Sequence, residues 1–432
     1  MLRSNLLTIC LIIICFQLSG QIPFSGKQGF GFSPQGYPDH HTTPDIINFY
    51  NEVAAMPCGG IIMWNGLWYQ DSTTIGQVPV AAYGNTLNGT VFGYEDINVF
   101  TFFHWPNLVW LNTPAQHVPN NFSNTDTRSS FLQALKLHAQ NDQPTMVFIG
   151  NEVSFYLCMD SINYQHFVSF YNMAYDTIKH YSPATKVGTI FNYEHLSGKG
   201  SLTGWNTPHW NALTDMDTSR MDAIGITLYP FFNYTNANDI PPGYLDDLTT
   251  HTGNKKIVIT ETGWPADQTF LPAPWTCSAT QQVDYTHTLF NNIINNKPVK
   301  SINWLFLNYL MSDINDGYKI FRSVALRDSL NIDRPAKAIW DSVCIIAKAP
   351  LLIEYANKII FFPNPAENEI TLKLEKPLPE NAELNIFNNV GENIIRKNIF
   401  KVAKVVRIDI TTLPSGIYFV KLSNNSGKFI KM

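Results

Sequence analysis

Two acidic residues stand where the chain could do chemistry. Glu152 follows the apolar run 145–150 (TMVFIG) by way of Asn151, and Glu261 directly follows the run 257–260 (IVIT). Each sits where a buried strand would end and a loop begin. A glutamate there loses part of its hydration, which raises its pKa, while a neighbouring donor keeps another ionised. A carboxylic acid that protonates a departing oxygen, opposite a carboxylate that attacks carbon, is the pair that acetal cleavage needs. Spacing alone leaves the matter even: with 34 acidic residues in the chain, two after strands fit helix N-caps or surface charges as well.

Other chemistries have weaker footing. The 11 histidines form no HExxH and the cysteines no CxxC, so neither a metalloenzyme nor a zinc site is expected. His40-His41 reads as a solvated loop pair. Asp313-Ile314-Asn315-Asp316-Gly317 resembles part of a calcium loop, lacks the downstream glutamate, and reads as a turn. No GxGxxG follows the first strand, so no dinucleotide is expected, and two carboxylates require no cofactor. The formal charge of −5 gives no reason to expect a nucleic-acid partner.

The elements that would position the two glutamates alternate strand and helix. Buried-strand patterns fall at 29–32, 59–64, 99–105, 145–150, 187–191, 223–229, 257–260 and 302–307. Continuous apolar runs of this length suit parallel strands covered on both faces. Between them, residues 130–140 place Leu132, Leu135 and Ala139 on one helical face, and 164–180 do the same with Phe167, Phe170, Tyr171, Ala174 and Ile178. A third helix is expected over 280–296 with Val283, Leu289, Phe290 and Ile293 inward. This pattern is that of an α/β (β/α)8 TIM barrel, in which catalytic groups gather at the C-terminal ends of the strands.

The segments around the glutamates carry a resemblance. Gly150-Asn151-Glu152-Val153 and Thr260-Glu261-Thr262-Gly263-Trp264-Pro265 resemble the signatures of the retaining clan-A barrel glycoside hydrolases, whose catalytic glutamates follow strands four and seven. They are closest to families 17, endo-β-1,3-glucanases, and 53, endo-β-1,4-galactanases. Glu152 follows the fourth run and Glu261 the seventh, in keeping with that pattern. The resemblance implies Glu152 as acid/base, Glu261 as nucleophile and Asn151 as hydrogen-bond partner of the sugar 2-hydroxyl. It further implies Tyr229, ending the sixth run, as the tyrosine that positions the nucleophile, and Trp304 on the eighth as the aromatic floor of the cleaved subsite. Trp264, Trp68 and Trp105 complete the expected substrate-binding set; singly, such aromatics are as often core or rim packing. Ala266 stands where family 17 usually has serine.

Both termini speak to destination. Arg3, the apolar stretch 6–16 and Ser19-Gly20 read as a signal peptide over residues 1–20, with an apolar run too short for a membrane span. Cys10 and Cys15 lie inside it without the small preceding residue of a lipoprotein site. Cys58, Cys158, Cys277 and Cys344 remain, open to three pairings or to buried thiols. Composition then shifts near residue 350. All ten tryptophans lie at or before Trp340, and residues 358–432 carry 11 Lys+Arg against 7 Asp+Glu. The expected division is a barrel over 21–346, a linker at 347–357 and a small all-β, immunoglobulin-like sandwich over 358–432, whose period-two runs are broken by turns such as Leu413-Pro414-Ser415-Gly416. Phe362-Pro363-Asn364-Pro365-Ala366, residues 413–422 and the terminal Lys428-Phe429-Ile430-Lys431 resemble the sorting domain of the Bacteroidota type IX secretion system. That implies outer-membrane export through the secretion machinery and a secreted or cell-surface location. The expectation is a monomeric, endo-acting β-glycosidase of an extracellular polysaccharide of β-glucan or galactan type. The competing class is an inactive carbohydrate-binding or adhesion protein on the same barrel.

Overall fold

The computed structural model describes residues 24–343 apart from 38–39, 68–88, 90, 105–108, 111–120, 268–275 and 312–319. It also describes residues 359–432 apart from 375–381, 389–391, 400–403 and 423–424. The expected signal segment and Cys344 lie outside the described residues, as do Trp68 and Trp105.

Eight strands run in chain order: β1 Lys27–Gly31, β2 Gly60–Leu67, β3 Tyr94–Thr101, β4 Met146–Ile149, β5 in two pieces (Lys186–Gly188 and Ile190–Asn192), β6 Ala223–Leu228, β7 Lys256–Thr262 and β8 Val299–Phe306. All pairings are parallel. β1 pairs with both β2 and β8. The first piece of β5 pairs with β4 and the second with β6, so the split fifth strand closes the sheet into a barrel. All eight expected strands form. The third begins earlier than its apolar run, at Tyr94, and ends at Thr101.

The barrel interior is packed solid. Ile61, Met63, Ile97, Val99, Phe148, Ile190, Ala223 and Val258 form one buried cluster inside it. Space for the Phe148 ring is left by two glycines: a Cβ on Gly188 would sit 2.7 Å from it, and one on Gly225 2.9 Å. A second, larger cluster joins the outer faces of the strands to the helices.

The helices are α1 Thr43–Ala54, α2 Thr125–Asn141, α3 Val153–Met159, α4 Ser161–Tyr181, α5 Tyr193–Ser197, α6 Asn211–Thr214, α7 Asp246–Thr252, α8 Ala279–Thr288, α9 Ile320–Val324 and α10 Pro335–Ser342. α4 buries the expected face, with Tyr164 added. In α2 the buried stripe is Phe131, Ala134, Leu135, His138 and Ala139, and Leu132 is only half-buried. Phe131, with its larger apolar surface, takes the inward position and rotates Leu132 to the flank. The third expected helix divides: α8 passes into a π-helical turn over Leu289–Ile293, and its buried face carries Gln282 in place of the half-buried Val283.

Beyond the barrel, β9 Ile359–Phe362, β10 Glu369–Leu374 and β13 Val405–Asp409 form one antiparallel sheet. β11 Ala382–Phe387, β12 Asn393–Ile399, β14 Gly416–Leu422 and β15 Asn425–Lys431 form another. Their apolar sides meet in a separate core that includes Leu372, Leu384, Ile408, Val420 and Phe429. Alternation along β13, exposed and buried by turns, is the expected signature of a sheet with one wet face. Among the described residues, no helix is long and apolar enough to cross a membrane. Cys58 is disulfide-bonded, whereas Cys158 and Cys277 carry thiols, so a scheme of two bridges among the four cysteines is not formed.

Candidate active site

The backbone at the end of β4 turns sharply. Gly150 adopts φ +87°, and a Cβ there would meet Val153 at 2.6 Å and the Phe102 ring at 2.8 Å. Two residues later Glu152 itself is left-handed, at φ 55° and ψ 42°, and starts α3 without a side-chain cap bond. An L-residue with a Cβ takes this conformation at a cost of order 1–3 kcal/mol, and such outliers gather at functional sites. The side chain is thereby freed from capping and enters the barrel mouth. There Oε1 accepts from Thr227 Oγ1 at 2.7 Å and from Asn192 Nδ2 at 2.9 Å.

β7 aims its glutamate by a different device. Its register against β6 slips between Ile259 and Glu261, which leaves Thr260 as an extra residue. A bulge of this kind re-aims the side chain that follows. Glu261 Oε2 accepts from the Tyr229 hydroxyl at 3.0 Å, and Oε1 accepts from Asn151 Nδ2 at 3.3 Å. Asn151 thus ties the residue before one glutamate to the side chain of the other. Just past Glu261, Gly263 lies at φ +155°, where a Cβ would fall 2.3 Å from Val324 Cγ1. The glycines of both signature segments are therefore required by the turns that present the acids.

The two carboxyls perturb each other. Burial, then the negative field of Glu152, push Glu261 up to about 7, against the pull of the Tyr229 and Asn151 hydrogen bonds. Burial also raises Glu152, opposed by Thr227 and Asn192. Like charges in a shared, poorly hydrated site hold one proton between them near neutral pH. The donors break the symmetry. Glu261 has one donor on each oxygen, the arrangement that stabilises a carboxylate. Both donors to Glu152 converge on Oε1, which leaves Oε2 to carry a proton.

A third carboxyl lies one layer deeper. Glu194, fully buried on α5, accepts from the Tyr229 backbone N–H at 3.0 Å and the Tyr244 hydroxyl at 3.1 Å. Burial raises it to about 7, with a contribution from Glu152. It fixes the backbone of the tyrosine that holds Glu261. The same cue that marked Glu152, an acid just past an apolar run, marks Glu194 after the run 187–191. Thr227 lies inside a run and gave no such signal.

Of the residues expected from sequence, the structure brings together Asn151, Glu152, Tyr229 and Glu261. Trp304 and Trp264 differ from expectation. Both are 0% exposed. Trp304 Nε1 donates to the Val324 carbonyl at 2.7 Å and its ring packs on Trp340 and Tyr285, while Trp264 Nε1 donates to the Thr276 carbonyl at 2.9 Å. A fully enclosed ring with a satisfied indole offers no face to a sugar, so these two are core residues supporting β7 and β8.

A closed parallel barrel with carboxyls at the ends of strands four and seven is followed by a small sandwich, and each of the two parts resembles a known family. More particularly, residues 95–271 match the family described as glycosyl hydrolase family 53, and residues 360–432 match the secretion system C-terminal sorting domain. The sorting domain marks the chain for export to the medium or cell surface. No curated protein matches the chain. Solved structures resemble its fold at low identity. A GH5_18 protein from Bifidobacterium longum subsp. longum, in complex with Manb1-4GlcNAc, is 11% identical with a TM-score of 0.57, over 76% of this chain and 79% of that one. The exo-beta-1,4-mannosidase Op5Man5 from an Opitutaceae bacterium is 10% identical with a TM-score of 0.54, over 74% and 59%. A family 39 glycoside hydrolase from Bacteroides cellulosilyticus is 15% identical with a TM-score of 0.50, over 92% and 81%. The chain spans 46% of the length of the Bacteroides uniformis beta-glucuronidase 2 structures that it also matches.

Proposed function

We propose that this protein is an exported retaining β-glycosidase that cleaves a polysaccharide by double displacement, with Glu261 as nucleophile and Glu152 as acid/base. The observation that carries the reading is the asymmetric coupling of the two carboxyls. One has a donor on each oxygen and the other has both donors on one oxygen. In the first step Glu261 attacks the anomeric carbon as the glycosidic C–O bond breaks, and Glu152 gives its proton to the departing oxygen. In the second, Glu152 takes a proton from water, the water oxygen attacks the same carbon, and the ester to Glu261 breaks. Asn151, already within reach of Glu261, is placed to bond the sugar 2-hydroxyl, a contact that strengthens as positive charge develops at the ring. The family 53 match, together with an address outside the cell, favours a β-1,4-galactan-type polymer cleaved internally over a β-glucan.

The test is reducing-sugar release from a panel of galactans, β-glucans, mannans and xylans. We expect release from galactan, retention of anomeric configuration in the first product, and a loss of at least about a thousandfold in Glu261→Ala. Equal release by wild type and variant on every polymer would sink the proposal and favour a binding protein.

A further inference from the structure

Beside the glutamates, on the same face of the barrel, three side chains of metal-binding type come together from separate elements. Cys158 lies near the end of α3, His195 on α5, and His209 in the loop before α6. One ligand atom from each lies within 4.8 Å of the others. Cys158 Sγ and His209 Nδ1 are 3.2 Å apart, and His209 Nε2 is 3.3 Å from the Gly204 carbonyl. A carbonyl can only accept, so Nε2 carries the ring proton and Nδ1 keeps its lone pair toward the sulfur. That is the tautomer of a metal-binding histidine held by a backbone carbonyl behind it. His195 supplies an independent pointer. It is 4% exposed, and its Nδ1 is buried with no hydrogen-bond partner among the described residues. A polar nitrogen left unpaired in the interior is destabilising unless something fills it.

The geometry points to a site for a borderline-soft divalent cation of the zinc class, bound by Cys158, His195 and His209, with water in the fourth position. Thiolate with two imidazoles is a donor set that selects zinc over calcium or magnesium. A tetrahedral centre with metal–sulfur and metal–nitrogen bonds of about 2.3 and 2.1 Å needs its ligand atoms roughly 3.4–3.6 Å apart. The Cys158–His209 pair is within a few tenths of that. The two imidazoles stack at 18° with centroids 4.3 Å apart, so their lone pairs run side by side and one ring must turn for both to converge. The exposed Cys158 and half-buried His209 give that freedom, while Phe155 and Trp205 pack around His195. Binding displaces the thiol proton to solvent and changes no oxidation state. Its place in the fold gives it a consequence. α3 begins at Glu152 and α5 is capped by Asn192, the donor to Glu152, so the ion would clip together the two helices from which that carboxyl is held.

Cobalt(II) titrated into the full chain reads the site directly, because a cobalt–thiolate bond adds a near-ultraviolet charge-transfer band. We expect wild type to develop that band at one equivalent, zinc to bleach it, and zinc to slow reaction of one thiol with a disulfide reagent. Cys158→Ser should lose the band and His209→Ala should weaken it at least tenfold in affinity. Cys158 is exposed, so an unchanged melting temperature of apo Cys158→Ser will show that the variant is folded. His195→Gln, which keeps the buried volume, gives a second reading of the same site. No band in wild type, or a band that survives Cys158→Ser by using Cys277, would overturn the assignment.

Discussion

At the scale of single residues, the pH profile is where the site can be read most directly, because two substitutions move it in opposite directions. Glu261 is raised by burial and by Glu152, and lowered by Tyr229 and Asn151. In the proposed mechanism it attacks as a carboxylate, so its ionisation sets the acidic limb. Glu152→Gln removes the neighbouring negative charge, which lets Glu261 ionise at lower pH. With an activated aryl glycoside, whose leaving group needs no proton, the acidic limb of the bond-breaking step should move down. Tyr229→Phe removes a donor to the anion, so the same limb should move up. It should also lower kcat/KM roughly 10- to 100-fold, the worth of a hydrogen bond to a charged group. Limbs that shift in the same direction, or not at all, would remove Glu261 from the nucleophile's role. The two glutamates drew notice because each follows an apolar run, but it was the resemblance of the signature segments that implied their roles and those of Asn151 and Tyr229. Trp304 and Trp264 entered the expected substrate-binding set with the same resemblance, and both are enclosed. An aromatic in a strand or just past it looks alike whether it faces a sugar or is roofed by a later segment, and Val324 and Thr276, whose carbonyls hold these two indoles, lie 20 and 12 residues away.

At the scale of elements, strand order and closure were legible from apolar runs and their spacing, since parallel barrel strands must be apolar on both faces. Helix faces were less so, because a polar residue can occupy the inward stripe when its bonds are met. Gln282 is such a residue. It is fully buried on α8, and its Nε2 lies 3.0 Å from the carbonyls of both Trp264 and Val324. One amide therefore ties α8 to the segment behind Glu261 and to α9. Gln282→Leu keeps the volume but strands the buried Trp264 carbonyl, at about 1–3 kcal/mol, while the Val324 carbonyl keeps its bond from Trp304 Nε1. It also removes Oε1, which has no partner among the described residues, and this returns part of that loss. The net expectation is a destabilisation of about 1–2 kcal/mol, measured as a lower denaturant midpoint with an unchanged slope. An unchanged midpoint would mean that the segment after β7 is held by its packing alone.

At the scale of the molecule, the barrel and the C-terminal sheets have separate cores. The clusters of residues 24–343 and of residues 366–429 have no member in common. Their charges differ in sign as well: 18 Lys+Arg against 27 Asp+Glu before residue 358, and 11 against 7 from there on. Regions with their own cores could in principle fold as separate units. A chain ending at residue 357 should therefore keep the unfolding midpoint of the barrel and its kcat/KM on the polymer that the panel selects. In a host with the type IX machinery, the same truncation should leave the protein inside the cell envelope, while the full chain reaches the surface or medium. Immunoblots of fractionated cultures separate these outcomes. Truncated protein outside the cell at the full chain's level would show that residues 358–432 are not the export address. A truncated barrel that is exported normally but melts earlier would make the sandwich a stabilising partner of the enzyme.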